Sequence, residues 1–312
     1  MKIAILDDYQ QAALHYADWS ALQKQADVVL FHKPFEDGSE AVRQLKDFTV
    51  ICAMRERTPF PSAVLRALPE LKLIVSTGKR NAAIDQEACK SLGIEVRFTG
   101  YHETGAPELT WGLLLNLARH ITAESQHMRQ NEWQQTIGVD LAGKTIGIVG
   151  LGRIGSTIAR YAKAFGMKLI AWSENLTEER AHRAGAELVT KEQLFKRADF
   201  ITLHLVLSER SKNTVTAKEL AIMKPTAYLI NTSRGPLLDE AALIHALTEK
   251  HIAGAALDVY DAEPLAPEHP FRTLPNVLAT PHIGYVTEDT YRIFYGDTVK
   301  EIEAWILEQT HF

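Results

Sequence analysis

Short apolar runs rich in β-branched residues alternate with segments of helical period along most of the chain. Ile3–Leu6, Val28–Phe31, Val50–Ala53, Leu73–Ser76 and Ile94–Arg97 read as strands. Between them Ser39–Lys46, Ser62–Leu68 and Asp85–Leu92 carry helical spacing, so the first hundred residues predict a parallel α/β sheet. A longer helical pattern runs from Pro107 to about Gln130, with Pro107 and Glu108 suited to its first turn. It reads as a bridge into a second unit. There Thr145–Val149, Lys168–Trp172, Phe200–Leu203, Ala227–Asn231, Ala253–Asp258 and Val277–Thr280 are the expected strands, with a helix near Asp239–Lys250. A final amphipathic helix, Thr290–Leu307, bears Phe294, Val299, Ile302 and Ile306 as an apolar stripe. The pattern shows this helix but not where it docks. A return to the first unit would make that unit discontinuous.

The most informative stretch lies at the start of the second unit. The strand Thr145–Val149 is followed by Gly150, Gly152 and Gly155 in G-x-G-x-x-G spacing. Ile154, Ile158, Ala159, Ala162 and Phe165 then share one helical face, and Gly166 is a fitting stop before the next strand. Gly150 would permit the sharp turn, Gly152 would let a pyrophosphate approach the backbone, and Gly155 would let the helix pack on its strand. The free N–H groups at that helix start, at Arg153, Ile154 and Gly155, would bind the anion. A glycine-rich turn also occurs as a plain connection, but here the βαβ context favours a dinucleotide.

Composition narrows the class without naming it. At 312 residues, 46% hydrophobic and 23% charged, the chain has the make-up of a globular protein of about two domains. Its 34 basic and 39 acidic residues give a net charge of −5 with no block of like charge, so neither nucleic acid nor an anionic membrane is an expected partner. No apolar stretch is long enough to span a bilayer, and the chain enters a strand at once, without a secretion signal. Cys52 and Cys89 are the only cysteines, and both fall inside packed patterns. Together these features predict a cytoplasmic protein with two buried packing thiols.

Three strand-like runs end on ionisable side chains, in Asn231-Thr-Ser-Arg234-Gly, Leu257-Asp258-Val-Tyr-Asp-Ala-Glu263-Pro and Ala279-Thr-Pro-His282-Ile-Gly. Successive strand ends of a parallel sheet share one edge, which would gather Arg234, Glu263 and His282 beside the glycine turn. That set suits a substrate with a carboxylate next to a carbonyl. Arg234 could grip the carboxylate with a bidentate fork, and His282 could exchange a proton with the substrate oxygen. Glu263 beside it would favour the protonated ring and fix its tautomer, while hydride passes to or from the cofactor. Taken singly, each also has a plain reading: Arg234 as an exposed turn residue, Glu263 as loop chemistry, His282 as an ordinary core or surface histidine. Ser76-Thr-Gly-Lys-Arg-Asn81, at another strand end, is a candidate anion loop or a solvated basic turn. Arg55 and Arg57 read best as a solvated loop, and the histidines, His102 and His204 among them, show no metal-ligand spacing, so no metal is expected.

Asn231-Thr-Ser-Arg-Gly235, Gly254 to Pro264, Leu274 to Gly284, Thr77-Gly78 and Ala106-Pro-Glu-Leu-Thr110, together with the glycine turn, resemble the NAD-dependent D-2-hydroxyacid dehydrogenase family in the same order. The resemblance implies two Rossmann-like domains, each a parallel sheet with flanking helices, joined by long bridging helices with the active cleft between them. It divides the chain into a discontinuous substrate domain, 1–104 plus 286–312, and a dinucleotide-binding domain, 105–285. By the same likeness Arg234 anchors the carboxylate, His282 is the acid/base and Glu263 its partner. Gly78 and Lys79 match a substrate-carboxylate contact, and Thr110, Asp258 and the run Asn231, Thr232 and Ser233 lie near the cofactor. A homodimer acting on a small 2-hydroxy or 2-keto acid is the expected assembly. One position departs: members specific for NAD end the second cofactor strand with Asp, whereas this chain has Ser173 followed by Glu174 and Asn175. Glu174 would repel a 2′-phosphate, which favours NAD over NADP without excluding the latter. The alternative is a dinucleotide-sensing binding protein of the co-repressor type, disfavoured because the chain carries no segment beyond dehydrogenase length. A formate dehydrogenase fits less well, since that family has Gln where this chain has Glu263.

Overall fold

A computed structural model describes residues 1–310. The chain divides into two compact units, Met1–Glu103 together with the segment from Val286 onward, and Thr104–Tyr285. The first holds five parallel strands, β1 (Lys2–Ile5), β2 (Asp27–Leu30), β3 (Val50–Ala53), β4 (Leu73–Ser76) and β5 (Glu95–Phe98), in the order β2-β1-β3-β4-β5. This is the doubly wound 2-1-3-4-5 arrangement. The three inner strands lose nearly all contact with water, as their unbroken apolar runs require: every residue of β3 and β4 is buried. Leu45, Phe60, Leu65 and Cys89 from the flanking segments close one face over Ile51 and Ile74. Cys52 and Cys89 are free, buried thiols whose pKa values burial pushes upward.

The last helix, Glu288–Thr310, lies against this first sheet, with Phe294 and Ile302 fully buried. Tyr295 Oη donates to Asp8 Oδ1 (3.2 Å), Asp297 accepts from Gly100 N (3.0 Å), and Arg97 donates to the Glu301 carbonyl (3.2 Å). The docking surface was not readable from the stripe, because these anchors are polar contacts to residues 197 to 287 positions away.

The second unit holds seven parallel strands: β6 (Thr145–Val149), β7 (Lys168–Trp172), β8 (Glu187–Leu188), β9 (Phe200–Leu203), β10 (Tyr228–Asn231), β11 (Gly254–Leu257) and β12 (Val277–Ala279). Their order, β12-β11-β10-β9-β6-β7-β8, is the Rossmann order extended by one strand, with its switch point between β6 and β9. The continuous helix expected from Pro107 to Gln130 is instead two, Gly105–Arg119 and Ile121–Arg129, because His120 between them takes a left-handed φ of 51°. The first of these packs on the glycine-turn helix and on β10 and β11. In the glycine-turn helix, Arg153–Ala164, Ile158, Ala159 and Ala162 are buried as expected, but Phe165 at its end stays half-exposed and meets the Trp111 ring edge-on at 5.0 Å. No helix among the described residues is long and apolar enough to cross a membrane.

Candidate active site

At the carboxyl edge of the second sheet, β6 runs into a turn in which two of the three glycines, Gly150 and Gly155, are held to their residue type by space. Gly150 has φ +97°, and a Cβ there would lie 2.8 Å from the His204 carbonyl. A Cβ on Gly155 would fall 2.1 Å from the Gly150 carbonyl oxygen. Gly152 differs, since nothing lies within 4 Å of where its Cβ would be. The open side of Gly152 faces the start of the helix Arg153–Ala164, which no side chain caps. The first N–H groups of that helix have no partner within it and are directed outward, so the residues present fit a bound pyrophosphate.

A cavity of about 380 Å³ continues from the ends of β7 and β9 in the same unit, and Ser173, Glu174, Arg180, Leu205, Arg210 and Ser211 are among its lining residues. Ser173 and Glu174, expected from sequence at the end of the second cofactor strand, are thus both on the wall of this cavity. Arg180 and Arg210 were not singled out from sequence; the first sits on the short helix Glu178–Arg183 and the second on the segment after β9, and neither carries a motif of its own.

His204, read from sequence only as lacking metal-ligand spacing, has a structural place here. It leads out of β9 directly beneath the Gly150 turn, its N–H bonded to the Val149 carbonyl (2.8 Å). Its Nε2 is buried without a hydrogen-bond partner, and burial lowers its pKa to about 3, so the ring is neutral. Its role is to fill space under the turn. The described residues contain no group of three potential ligands able to hold a metal ion.

On the other side of the switch point, the three motif residues emerge from β10, β11 and β12. His282 Nδ1 and Glu263 Oε2 are 2.5 Å apart, with roughly a quarter to a third of each side chain exposed. Glu263 Oε1 accepts from Tyr260 N at 3.0 Å. Burial would raise the Glu263 pKa, but the bond and charge of His282, the Tyr260 N–H and the charge of Arg234 outweigh it and hold the carboxyl below its usual range. Ionised Glu263 can only accept, so it fixes the proton on Nδ1 and leaves Nε2 free for exchange with a reacting group. His282 has a left-handed φ of 52°, a conformation that costs energy and that its surroundings must impose.

Asp258 imposes it. The side chain is fully buried; Oδ1 accepts from Thr280 Oγ1 (2.6 Å) and Ile283 N (2.8 Å), and Oδ2 from Gly284 N (2.9 Å). Burial, outweighing these bonds and the charge of His282, raises its pKa. Expected among the cofactor contacts, Asp258 has a different visible task, which is to clamp the loop that carries His282. Tyr260 adds a second clamp, its hydroxyl donating to the Thr280 carbonyl at 2.8 Å.

Arg234 follows β10 in extended conformation (φ −150°), its Nη1 donating to the Ser233 carbonyl at 2.7 Å. The loop before it is fixed by Asn231, whose amide donates to the Arg234 carbonyl (2.9 Å) and accepts from Ser233 N (3.0 Å). Ser233 Oγ donates to the Leu205 carbonyl (2.8 Å), and Thr232 Oγ1 meets Thr110 Oγ1 at 2.6 Å. Thr110, buried, and Thr232, half-buried, thus form one polar pair that ties the helix Gly105–Arg119 to the end of β10.

In the first unit, the expected anion loop is built differently from its reading. Gly78 N is occupied, donating to Thr99 Oγ1 at 2.8 Å. What the residue provides is room, because with φ +84° a Cβ would lie 1.9 Å from Arg55 Nη1. Arg55 is consequently no solvated loop residue: its guanidinium sits 5.5 Å from the Tyr101 ring centre and donates to the Thr77 carbonyl. Arg57 lies 4.5 Å over the Tyr9 ring and is equally held. Lys79 is largely exposed and reaches Glu103 at 3.1 Å.

Sheet order and glycine turn define a dinucleotide-binding α/β protein, and the paired His282 and Glu263 give it a group able to move a proton. A family model described as D-isomer specific 2-hydroxyacid dehydrogenase, NAD binding domain, matches residues 111–284, more than half of the chain. The chain belongs to that family, and its second unit is the NAD-binding domain. A glyoxylate reductase of Thermococcus litoralis is 42% identical over 236 residues, 72% of this chain and 71% of that protein. A D-3-phosphoglycerate dehydrogenase of Synechocystis is 39% identical over 257 residues, 81% of this chain; the match spans 46% of that relative, about half its length. Among solved structures, a phosphoglycerate oxidoreductase of Vibrio cholerae superposes with a TM-score of 0.93 at 34% identity, covering 99% of both chains.

Proposed function

We propose that the protein interconverts a small D-2-hydroxy acid and its 2-keto acid with NAD, using His282 as acid/base, Glu263 as its partner and Arg234 as carboxylate anchor. The observation that carries this reading is the 2.5 Å contact between His282 Nδ1 and an ionised Glu263, on a sheet edge shared with the glycine turn. NAD supplies the hydride acceptor in one direction and, reduced, the donor in the other. Pyrophosphate is held by the N–H groups at Arg153, Ile154 and Gly155 beside Gly152; Thr110, Thr232 and Ser233 shape the nicotinamide side, and Ser173 and Glu174 the ribose side. His282 Nε2 takes the hydroxyl proton of the hydroxy acid as the carbonyl forms, and returns it in reduction. Glu263 stabilises the imidazolium that exists between those events without taking the proton itself. Arg234 orients the carboxylate through paired N–H donors, which a lysine cannot match. Within the first unit, Gly78 admits the Arg55 guanidinium and Lys79 is the exposed cation, paired with Glu103.

A second copy of this chain is the proposed partner. Ile121, Met128, Trp133, Ile137 and Val139 leave a run of large apolar side chains in water, Trp133 71% and Ile137 93% exposed, and such a surface favours burial in a homodimer. The free thiols of Cys52 and Cys89 fit a cytoplasmic setting.

The test is a panel of 2-keto acids, glyoxylate and hydroxypyruvate included, reduced with NADH by the wild type and by His282→Gln. Turnover in the wild type, with a loss of about 100-fold or more in the variant while NADH still binds, is expected. Full activity in His282→Gln removes the mechanism, and absence of turnover across the panel leaves a binding protein that reads the dinucleotide.

A further inference from the structure

The pocket at the end of β7 is more basic than its strand-end residues suggest. Ser173 puts a hydroxyl where an acid would claim the ribose 2′-oxygen, and Glu174 supplies one negative charge. Against that charge the same cavity of about 380 Å³ is lined by two arginines, Arg180 from the helix Glu178–Arg183 that follows β7 and Arg210 from the segment after β9. Among the described residues neither guanidinium has an ion-pair partner. Two guanidiniums and the hydroxyl of Ser173 around one cavity are the donors a phosphomonoester dianion requires, and planar forks suit its oxygens better than point charges.

From this we infer that the pocket accepts a 2′-phosphate on the adenosine ribose, so that the protein binds NADP(H) as well as NAD(H), with Arg180 and Arg210 as the residues that set the balance. The inference rests on the reading that this cavity holds the adenosine half of the dinucleotide. Glu174 acts in the opposite sense: it can accept from the 2′-hydroxyl of NAD and repels the 2′-phosphate, which keeps both cofactors within reach rather than selecting one.

Dissociation constants measured by calorimetry for 5′-AMP, 2′,5′-ADP, NADH and NADPH test this without turnover. In the wild type, NADPH binds within about thirtyfold of NADH, and added salt weakens NADPH more steeply. The double variant Arg180→Ala/Arg210→Ala weakens NADPH and 2′,5′-ADP by about thirtyfold or more, at roughly tenfold per lost charge-assisted contact, and leaves NADH and 5′-AMP within about threefold. Unchanged NADH binding also reports that the double variant is folded. Glu174→Gln tightens NADPH selectively. A wild-type gap beyond about thirtyfold, or a double variant that alters both cofactors alike or neither, overturns the inference. Failure of both NADH and 5′-AMP to bind the wild type would instead overturn the dinucleotide reading beneath it.

Discussion

Replacing Glu263 with glutamine changes one oxygen to an amide nitrogen and removes one charge, and the structure sets the cost. The native carboxylate serves two donors at once, His282 Nδ1 at 2.5 Å and Tyr260 N at 3.0 Å. A carboxamide offers a single acceptor atom, so one of those donors must face an N–H; that mismatch costs about 1–2 kcal/mol. It is relieved if His282 moves its proton to Nε2, which removes the lone pair needed to take a proton from substrate. Loss of the charge adds to this. With charge centres about 4 Å apart and an effective dielectric near 20, the attraction between imidazolium and carboxylate is about 4 kcal/mol, and partial exposure reduces it to roughly half. The sum, about 3–4 kcal/mol, corresponds to a fall in kcat of roughly 150- to 1,000-fold. Steady-state oxidation of the preferred hydroxy acid, followed through NADH formation, reads kcat, and NADH titration checks that the site is intact. A loss smaller than about tenfold with NADH binding unchanged would refute the role given to Glu263.

Other consequences can be checked on the same protein. His204, neutral, with its Nε2 buried and its pKa lowered by burial to about 3, gains a proton on unfolding below its unfolded value of 6.5, so its contribution to stability is complete above pH 6.5 and is lost as pH falls toward 3. Urea unfolding at pH 7.5 and pH 5 should show the wild type losing about 2 kcal/mol more than His204→Leu, and identical pH dependence would exclude a buried neutral ring. In Gly155→Ala the new methyl meets the Gly150 carbonyl oxygen at 2.1 Å, so the helix must move away from its strand. The expected cost is about 1–3 kcal/mol, measured by urea denaturation, with weakened NADH binding. For the dimer, light scattering on Trp133→Glu/Ile137→Glu should give monomers where the wild type gives pairs; an unchanged mass would move the interface elsewhere.

The strands of this protein were legible because most are buried on both faces, which forces unbroken apolar runs that stand out from their neighbours. β8 escaped for the converse reason: Glu187–Leu188 is two residues at a sheet edge, with too little burial to leave a pattern. The helix Lys191–Arg197 and its counterpart Ala217–Ala221 did carry a usable signal. Each follows a capping box, Thr190 with Gln193 and Thr216 with Glu219, and that spacing can be read without coordinates. The break at His120 had no such mark, since a left-handed histidine looks like any other histidine in sequence.

The site divides along a similar line, and strand register explains why its central part could be anticipated. Asn231 pairs with Leu257, and Leu257 with Ala279, so β10, β11 and β12 end level with one another. Arg234, Tyr260 and His282 each lie three residues beyond those ends, and the turn after Tyr260 brings Glu263 back to accept its N–H. Equal strand ends thus convert three distant motifs into neighbours, and a slip of one residue in β12 would carry His282 to the opposite face. No comparable rule links Arg180 to Arg210, or Arg55 to Gly78. Arg180 on its short helix and Arg210 on the segment after β9 share only a cavity wall, and Arg55 and Gly78 meet through two loops, so their positions depend on how the elements pack. The strand-end motifs and Ser173 with Glu174 could be read from sequence, while the places of these arginines emerged only from the folded chain.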